Sequence, residues 1–252
     1  MKAMIFAAGI GSRLRPLTDT MPKALVEVGG KPALARVLDR LTAAGVDSFV
    51  INIHHFPEQI RSYVKSHYGN LDVAFSDESA RLLDTGGALL AAKPMLESEP
   101  CFIVHNADIV TDASIAEMLR QHRESKADVT LLVGDRRSSR CLMFDAADRL
   151  RGWQNIATGD RLPEGADFEG CSRKSFGGVH IINRDVLCRL EEFAGGRNVF
   201  SIIPFYASSA SQLDIRSFTP RTSFYWHDIG TPDRLDAANK LFINQPSTHT
   251  LF

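Results

Sequence analysis

Tryptophan occurs twice, tyrosine four times and cysteine four times in 252 residues. Cys101, Cys141, Cys171 and Cys188 are widely scattered and form no Cys-x-x-Cys pair. That spacing excludes a zinc ribbon, a dithiol redox centre and a disulfide-stapled scaffold, and reduced, mostly buried thiols are expected. Charge of one sign is also lacking: the net charge is -1 with 23% charged residues, so nothing advertises nucleic acid or an acidic membrane. No apolar run approaches a membrane span, and the N-terminus enters a strand directly without a signal-peptide profile, so a cytoplasmic protein is expected. Internal repeats, low-complexity segments and a convincing Ser-His-Asp or Cys-His set are missing as well.

What is present is concentrated near the N-terminus. Met4 to Ala8 is a short apolar run that reads as a buried strand, and it ends in Gly9 and Gly11. Such glycines let the backbone turn tightly and approach a ligand. Ser12, Arg13, Arg15 and Lys23 follow with no carboxylate before Asp19. Free backbone N–H groups, a hydroxyl and several cations describe a cradle for a polyphosphate. The loop is not a P-loop, because Gly11 is followed by Ser12 and Arg13 rather than Lys-Ser/Thr. Nor is it a dinucleotide fingerprint: Leu14 stands where the third small residue belongs, and Pro16 interrupts any continuous helix.

The first half of the chain then alternates helix and strand. Pro32 to Ala44 reads as an amphipathic helix stopped by Gly45, Phe49 to Ile53 as a strand, Glu58 to Ser66 as a helix and Leu71 to Phe75 as a strand. Gly86 to Leu96 looks helical, Cys101 to Val104 is a buried strand, Ser114 opens a helix to about Ser125, and Val129 to Val133 is a further strand. This pattern predicts an α/β fold with a mostly parallel sheet and helices on both faces. Cys141 to Phe144 and Leu150 to Trp153 predict antiparallel strands around the turn at Asp145 to Asp148. Asn155 to Lys174 reads as a long loop, of a length that is more often functional than idle. Val179 to Ile182 resumes the strand pattern, Asp185 to Phe193 the helical one, and Thr231-Pro232-Asp233 is a helix start. The expected organisation is one domain over 1–244, with a small antiparallel substrate-side lobe near 136–180, and a polar tail over 245–252.

Two acids stand at strand ends, where ligands of open α/β sheets sit. Asp108 follows the run Cys101 to Val104, and Asp228 lies between Trp226 and the helix start at Thr231. Each alone also reads as an ordinary cap or turn residue; together they can converge on one magnesium ion, which takes few protein ligands. Thr85, before Gly86 and Gly87, has a plain reading as a helix cap. The cationic turn Arg136-Arg137-Ser138-Ser139-Arg140 reads as a solvated hairpin. His54 and His55 point to opposite faces of a strand and cannot readily share a metal; with His227 they read as structural.

With these residues in view, the chain resembles the sugar-1-phosphate nucleotidylyltransferases, whose fold is Rossmann-like. Their opening motif matches Ala7-Ala8-Gly9, Gly11-Ser12-Arg13-Leu14, Pro16-Leu17-Thr18 and Pro22-Lys23, continuing into Gly30-Lys31-Pro32. Asp108 matches the family's acid after a buried strand, with Ala107 in place of the usual glycine, and Trp226-His227-Asp228-Ile229-Gly230-Thr231-Pro232 matches its second acidic stretch. The resemblance covers Met4 to about Phe242 and is closest to the short members acting on N-acetylmuramate or mannose 1-phosphate. It implies a nucleotide-sugar-forming transferase with NTP and sugar-1-phosphate as substrates and Mg2+ as cofactor. The nucleotide falls to Ala7, Ala8, Gly9, Gly11, Ser12, Arg13, Lys23, Thr85 and Gly86, the sugar to Asn155, Gly177 and Gly178, and the metal to Asp108 and Asp228. Arg13, Lys23, Asp108 and Asp228 form the expected catalytic set. The same fold could instead serve a non-catalytic nucleotide-sugar-binding regulator, and the glycine loop alone would allow an NAD-dependent dehydrogenase. Base, sugar and oligomeric state stay open.

Overall fold

Apolar residues run so continuously through the first strands that each strand has two buried faces. In β1 (Lys2–Phe6), Ala3 and Ile5 enter one core while Met4 enters the other. In β4 (Ser48–Ile53), Phe49 and Ile51 face the first core and Val50 the second. Such period-two burial on both sides needs helices on both sides. The computed structural model describes residues 1–136 and 138–243; Arg137 and the expected tail lie outside them.

After β1, three short 3-10 turns and the two-residue strands β2 (Glu27–Val28) and β3 (Lys31–Pro32) lead into α1 (Ala33–Ala43). Its Leu34, Val37, Leu38 and Leu41 are buried, as the periodicity predicts. Then come β4, α2 (Pro57–His67), β5 (Asp72–Asp77), α3 (Asp84–Ala91), α4 (Lys93–Leu96) and β6 (Cys101–Asn106). The single helix expected from Gly86 to Leu96 is thus two, broken ahead of Pro94, which has no N–H to continue the ladder. β7 (Ile109–Thr111), α5 (Ile115–Ser125) and β8 (Val129–Gly134) follow. Ser114 caps α5, its side chain accepting from the Glu117 N–H at 3.2 Å.

The second half holds β9 (Arg140–Phe144), β10 (Leu150–Asn155), β11 (Arg161–Leu162), β12 (Ser172–Asn183), α6 (Val186–Ala194), α7 (Ile202–Ser209), β13 (Ile215–Phe218), β14 (Trp226–Asp228) and α8 (Pro232–Ile243). The expected loop over Asn155 to Lys174 therefore contains β11 and the start of β12. β12 is long enough to serve three partners, pairing β9 through Ser172–Lys174, β6 through Val179–Asn183 and β8 at positions between Ser175 and Ile182.

Strands β5, β4, β1 and β6 are neighbours in that order and parallel. β12 joins antiparallel beside β6 and pairs β8, which pairs β13 in parallel. β9, β10 and β11 continue antiparallel from β12. The chain leaves β1 towards β4 and β5, then returns to β6 on the other side. This reversal opens a crevice at the C-terminal ends of β1 and β6.

Two histidines sit inside this sheet without charge. Burial pushes His105 down to about 4 and His180 down to about 3; Tyr206 Oη lies 2.6 Å from His180 Nδ1. The unfolded chain binds these protons below its ordinary histidine value of about 6.5, whereas the fold refuses them. Stability is therefore fully present above about pH 6.5 and falls as pH drops towards the folded values, by up to about 1.4 kcal/mol per pH unit for each group. Urea unfolding at pH 7.5 and 5.0 tests this: a His180→Gln variant should lose less stability between the two pH values than the parent, and equal losses would refute the assignment.

Candidate active site

The glycine loop meets the crevice from below. Gly11 lies at φ +70°, and a Cβ there would come 2.9 Å from Thr18 Cγ2 and 3.0 Å from Lys23 Cβ. Only glycine allows that fold-back, which brings Lys23 against the end of β6. Thr18 closes the loop by donating its hydroxyl to the Gly11 carbonyl at 2.9 Å, and His55 Nε2 lies 3.2 Å from the Thr18 carbonyl. His54 Nδ1 lies 2.7 Å from the Glu78 carbonyl. Both histidines brace backbone, in line with the structural reading from sequence.

Asp108 and Asp228 come together through a strand pair that the sequence separates by more than a hundred residues. β14 pairs antiparallel with β7, setting Asp228 opposite Ile109, and the Ile229 N–H donates to the Asp108 carbonyl at 3.0 Å. Thr111 anchors the same ribbon by donating its hydroxyl to the Tyr225 carbonyl at 2.7 Å. The two carboxylates thus share one rim of the crevice.

Cations already compensate both acids. Lys23 Nζ donates to Asp108 Oδ2. Arg136 donates to Asp228 Oδ2 at 2.7 Å, and Arg234 Nη1 to Oδ1 and Oδ2 at 2.7 and 3.0 Å. The Gly230 N–H adds a bond to Oδ1 at 3.1 Å. Burial of Asp228 opposes its charge, yet the hydrogen bonds from Arg234 and Arg136 outweigh it and hold the carboxyl below the usual carboxylate range. Arg13 belongs to the same group, since a Cβ on Gly230 would lie 3.2 Å from its guanidinium and 2.8 Å from Asp228 Oδ1. His227, on the opposite face of β14, is pushed down by burial and by Arg136.

Two cavities flank these acids and share Asn106. One, of about 420 Å³, is lined by Ala7, Ala8, Gly9, Lys23, Thr85 and Asp108 among others. The other, of about 790 Å³, is lined by Arg136, Trp153, Asn155, Gly178, Trp226 and Asp228 among others. The expected nucleotide residues Ala7, Ala8, Gly9, Lys23 and Thr85 are thus assembled on one side, and the expected sugar residues Asn155 and Gly178 on the other. Gly178 lies at φ +72°, where a Cβ would strike Ile109 Cγ1 at 2.7 Å and crowd Asn106 Nδ2 at 3.1 Å.

Other expected positions lie elsewhere. Ser12 is exposed on the loop and lines neither cavity. Gly86 is a packing glycine: its N–H donates to the Phe200 carbonyl at 2.9 Å, and a Cβ would lie 2.4 Å from the Phe200 ring. Gly177 packs against Leu132, with a Cβ only 2.8 Å from Leu132 Cγ. The Thr85 hydroxyl does not cap its own helix but accepts from the Ile202 N–H at 3.0 Å. The solvated hairpin expected at Arg136 needs correction, because Arg136 turns inward onto the half-buried carboxylate of Asp228.

Sequence reasoning also missed Arg234 and Asn106. Arg234 carried a signal, lying in the first turn of the predicted helix after Asp228, where it opposes the helix dipole unless an acid holds it. Among the described residues no cluster of three or more His, Cys, Asp or Glu side chains forms a metal site, and no helix is long and apolar enough to cross a membrane.

Comparison with known proteins gives the family. The profile of the family described as nucleotidyl transferase matches residues 2–144. An N-acetylmuramate alpha-1-phosphate uridylyltransferase of Caulobacter vibrioides is 30% identical over 245 residues, covering 94% of this chain and 94% of that protein. A mannose-1-phosphate guanyltransferase of Yarrowia lipolytica is 36% identical over 252 residues, and the chain spans 65% of that protein's length. The solved structure of a UDP-glucose pyrophosphorylase complexed with UDP-glucose superposes with a TM-score of 0.77 at 16% identity, covering 97% of this chain and 99% of that one; it speaks to the fold alone. With its glycine loop, paired strand-end acids and twin cavities, the chain belongs to the nucleotidyl transferase family, among the sugar-1-phosphate nucleotidylyltransferases.

Proposed function

We propose that the twin cavities hold an NTP and a sugar-1-phosphate head to head, and that the sugar phosphate attacks the α-phosphorus to give a nucleotide-sugar and pyrophosphate. The observation that carries this reading is the rim of Asp108, Asp228, Lys23, Arg136 and Arg234 between the two cavities. A phosphate monoester is largely dianionic at neutral pH, its second pKa being about 6, so it needs no general base. The difficulty is bringing two polyanions together, which calls for positioning and charge neutralisation.

The Gly9–Arg13 loop is assigned to the triphosphate, with Lys23 reaching the reacting phosphates. Arg13, Arg136 and Arg234 lie where the sugar phosphate must enter. Asp108 and Asp228 fit Mg2+: they offer hard carboxylate oxygens on adjoining strands and leave most of an octahedral shell to phosphate and water. Mg2+ held there would neutralise the oxygens of the two reacting phosphates, so that a sugar-phosphate oxygen can bond to the α-phosphorus as pyrophosphate leaves. Lys23 and the two arginines would then release the carboxylates and turn to phosphate oxygens. Asn155 and the Gly178 backbone face the sugar. All four expected catalytic side chains are present, which favours an enzyme over a regulatory binder. The loop does not open an α-helix, the first of which starts at Ala33, and this disfavours a dinucleotide-dependent dehydrogenase.

Pyrophosphate release from UTP, GTP, CTP and dTTP, each with N-acetylmuramate, mannose and glucose 1-phosphates, tests the reading. UTP comes first, because a relative matched over 94% of both chains is a uridylyltransferase. Release should need both substrates and Mg2+ and stop when EDTA is added. No release from any pair, or NAD-dependent hydride transfer instead, would overturn it.

A further inference from the structure

A buried polar chain forms part of the wall of the nucleotide-side cavity and belongs to neither the phosphate loop nor the acidic rim. Asn52, the penultimate residue of β4, is 4% exposed, and Glu78, just beyond β5, is 2% exposed. Asn52 Oδ1 accepts from the Ala7 N–H at 2.7 Å. Asn52 Nδ2 donates to Glu78 Oε1 at 2.8 Å, and Glu78 Oε2 accepts from the Leu83 N–H at 3.0 Å. Glu78 is pinned through its own backbone too, its N–H donating to the Ile53 carbonyl at 2.8 Å and its carbonyl accepting from the Arg81 N–H at 2.9 Å. An unbroken line of hydrogen bonds thus joins the loop after β1 to the segment before α3.

The place of this chain in the sheet says which part of a nucleotide it serves. Along the C-terminal edge, in strand order, stand Glu78 after β5, Asn52 on β4, Ala7 after β1 and Asp108 after β6. Three strand spacings of about 4.8 Å separate the columns of Glu78 and Asp108, about 14 Å in all. That span matches a nucleoside triphosphate laid across the edge with its phosphates at Lys23 and Asp108. The base then falls at the β4–β5 end, where Leu82 and the Ala7–Ala8 backbone line the cavity. Backbone edges can select a base only if they are held still, since a hydrogen-bond mismatch discriminates strongly only in a rigid site.

We propose that Asn52 and Glu78 are positioning residues for nucleobase selection, locking the Ala7–Ala8 and Leu82–Leu83 backbones at the spacing that reads the base. The proposal rests on the nucleotide-side cavity being the NTP site. Polarity makes it testable. In Glu78→Gln, Asn52 Nδ2 and the Leu83 N–H both still donate, but the new amide offers one oxygen and one NH2, so a buried donor faces a donor. In Asn52→Asp two carboxylates meet. In the double variant Asn52→Asp/Glu78→Gln every donor again has an acceptor: the new carboxylate accepts from the Ala7 N–H and from the new amide, whose oxygen accepts from the Leu83 N–H.

The experiment measures pyrophosphate release with UTP, GTP, CTP and dTTP at saturating sugar-1-phosphate and Mg2+. Each single variant should raise KM for the preferred NTP about tenfold, the effect of one buried unpaired donor, with a smaller change in kcat. Each should also narrow the preference among the four bases. The double variant should recover KM and preference to within about threefold of the parent. A purely structural role would lower the unfolding temperature while leaving KM and base preference untouched, and that result overturns the proposal. A folded double variant with KM and base preference no better than those of Glu78→Gln overturns it as well. Where neither single variant folds, the double variant is compared with the parent, and a KM or preference that stays outside about threefold of it overturns the proposal. If the parent itself releases no pyrophosphate, the functional reading fails first, and the two failures are thereby distinguished.

Discussion

Asp228→Asn should slow pyrophosphate release by about a hundredfold or more while leaving the fold intact. The substitution keeps volume and an oxygen for the Gly230 N–H, so β14 still pairs with β7. It removes the negative charge that Arg136 and Arg234 share and that the proposed Mg2+ site needs, and it sets an NH2 group against a guanidinium. Loss of a preorganised electrostatic element costs about two to three orders of magnitude in rate. The stability cost is far smaller, because both arginines reach solvent and are screened there. Steady-state rates with a Mg2+ titration, beside a thermal melt, separate the two effects. Mg2+-dependent release within about threefold of the parent would remove Asp228 from the site.

Gly87→Ala should destabilise the protein by about 3 kcal/mol, against the sign that helix propensity predicts. Gly87 lies inside α3, where alanine normally gains about 1 kcal/mol over glycine. Here a Cβ would sit 2.0 Å from the Asn198 carbonyl oxygen, and backbone cannot swing aside as a flexible side chain would. Overpacking of this kind costs about 1–3 kcal/mol, and the contact distance places Gly87 at the upper end. Because Gly86 and Gly87 let α3 lie on the 198–200 segment, activity should fall with the folded fraction rather than ahead of it. Urea unfolding measures this, and an unchanged or raised midpoint would show that the segment yields.

The Asp-Thr-Gly-Gly stretch therefore shows what linear reading can and cannot supply. Its match to a family element was legible, yet the glycines act by packing on Phe200 and Asn198, a contact invisible along the chain. α7 went unread for a related reason: Pro204 sits inside an apolar run that looks unlike a helix, yet it is tolerated in the first turn. β13 likewise appears only through its pairing with β8. Arg136 looked like a solvated turn residue because its partner is 92 positions away.

Local chemistry was decided by the sequence itself. The continuous apolar runs of β1, β4 and β6 demand a sheet buried on both faces, and the turn at Gly11 and the Thr231-Pro232 helix start each follow from residue type and neighbours. What only the tertiary structure decided is convergence. The pairing of β14 with β7 brings Asp228 to Asp108, the inward turn of Arg136 and Arg234 sets the charge of the rim, and the line from Ala7 through Asn52 and Glu78 to Leu83 ties three strand ends together. Periodicity and turn chemistry act over a few residues, and so can be read in order along the chain. Pairings between distant segments depend on which buried donors and charges must be satisfied once the core has closed, and that becomes definite only in the folded molecule.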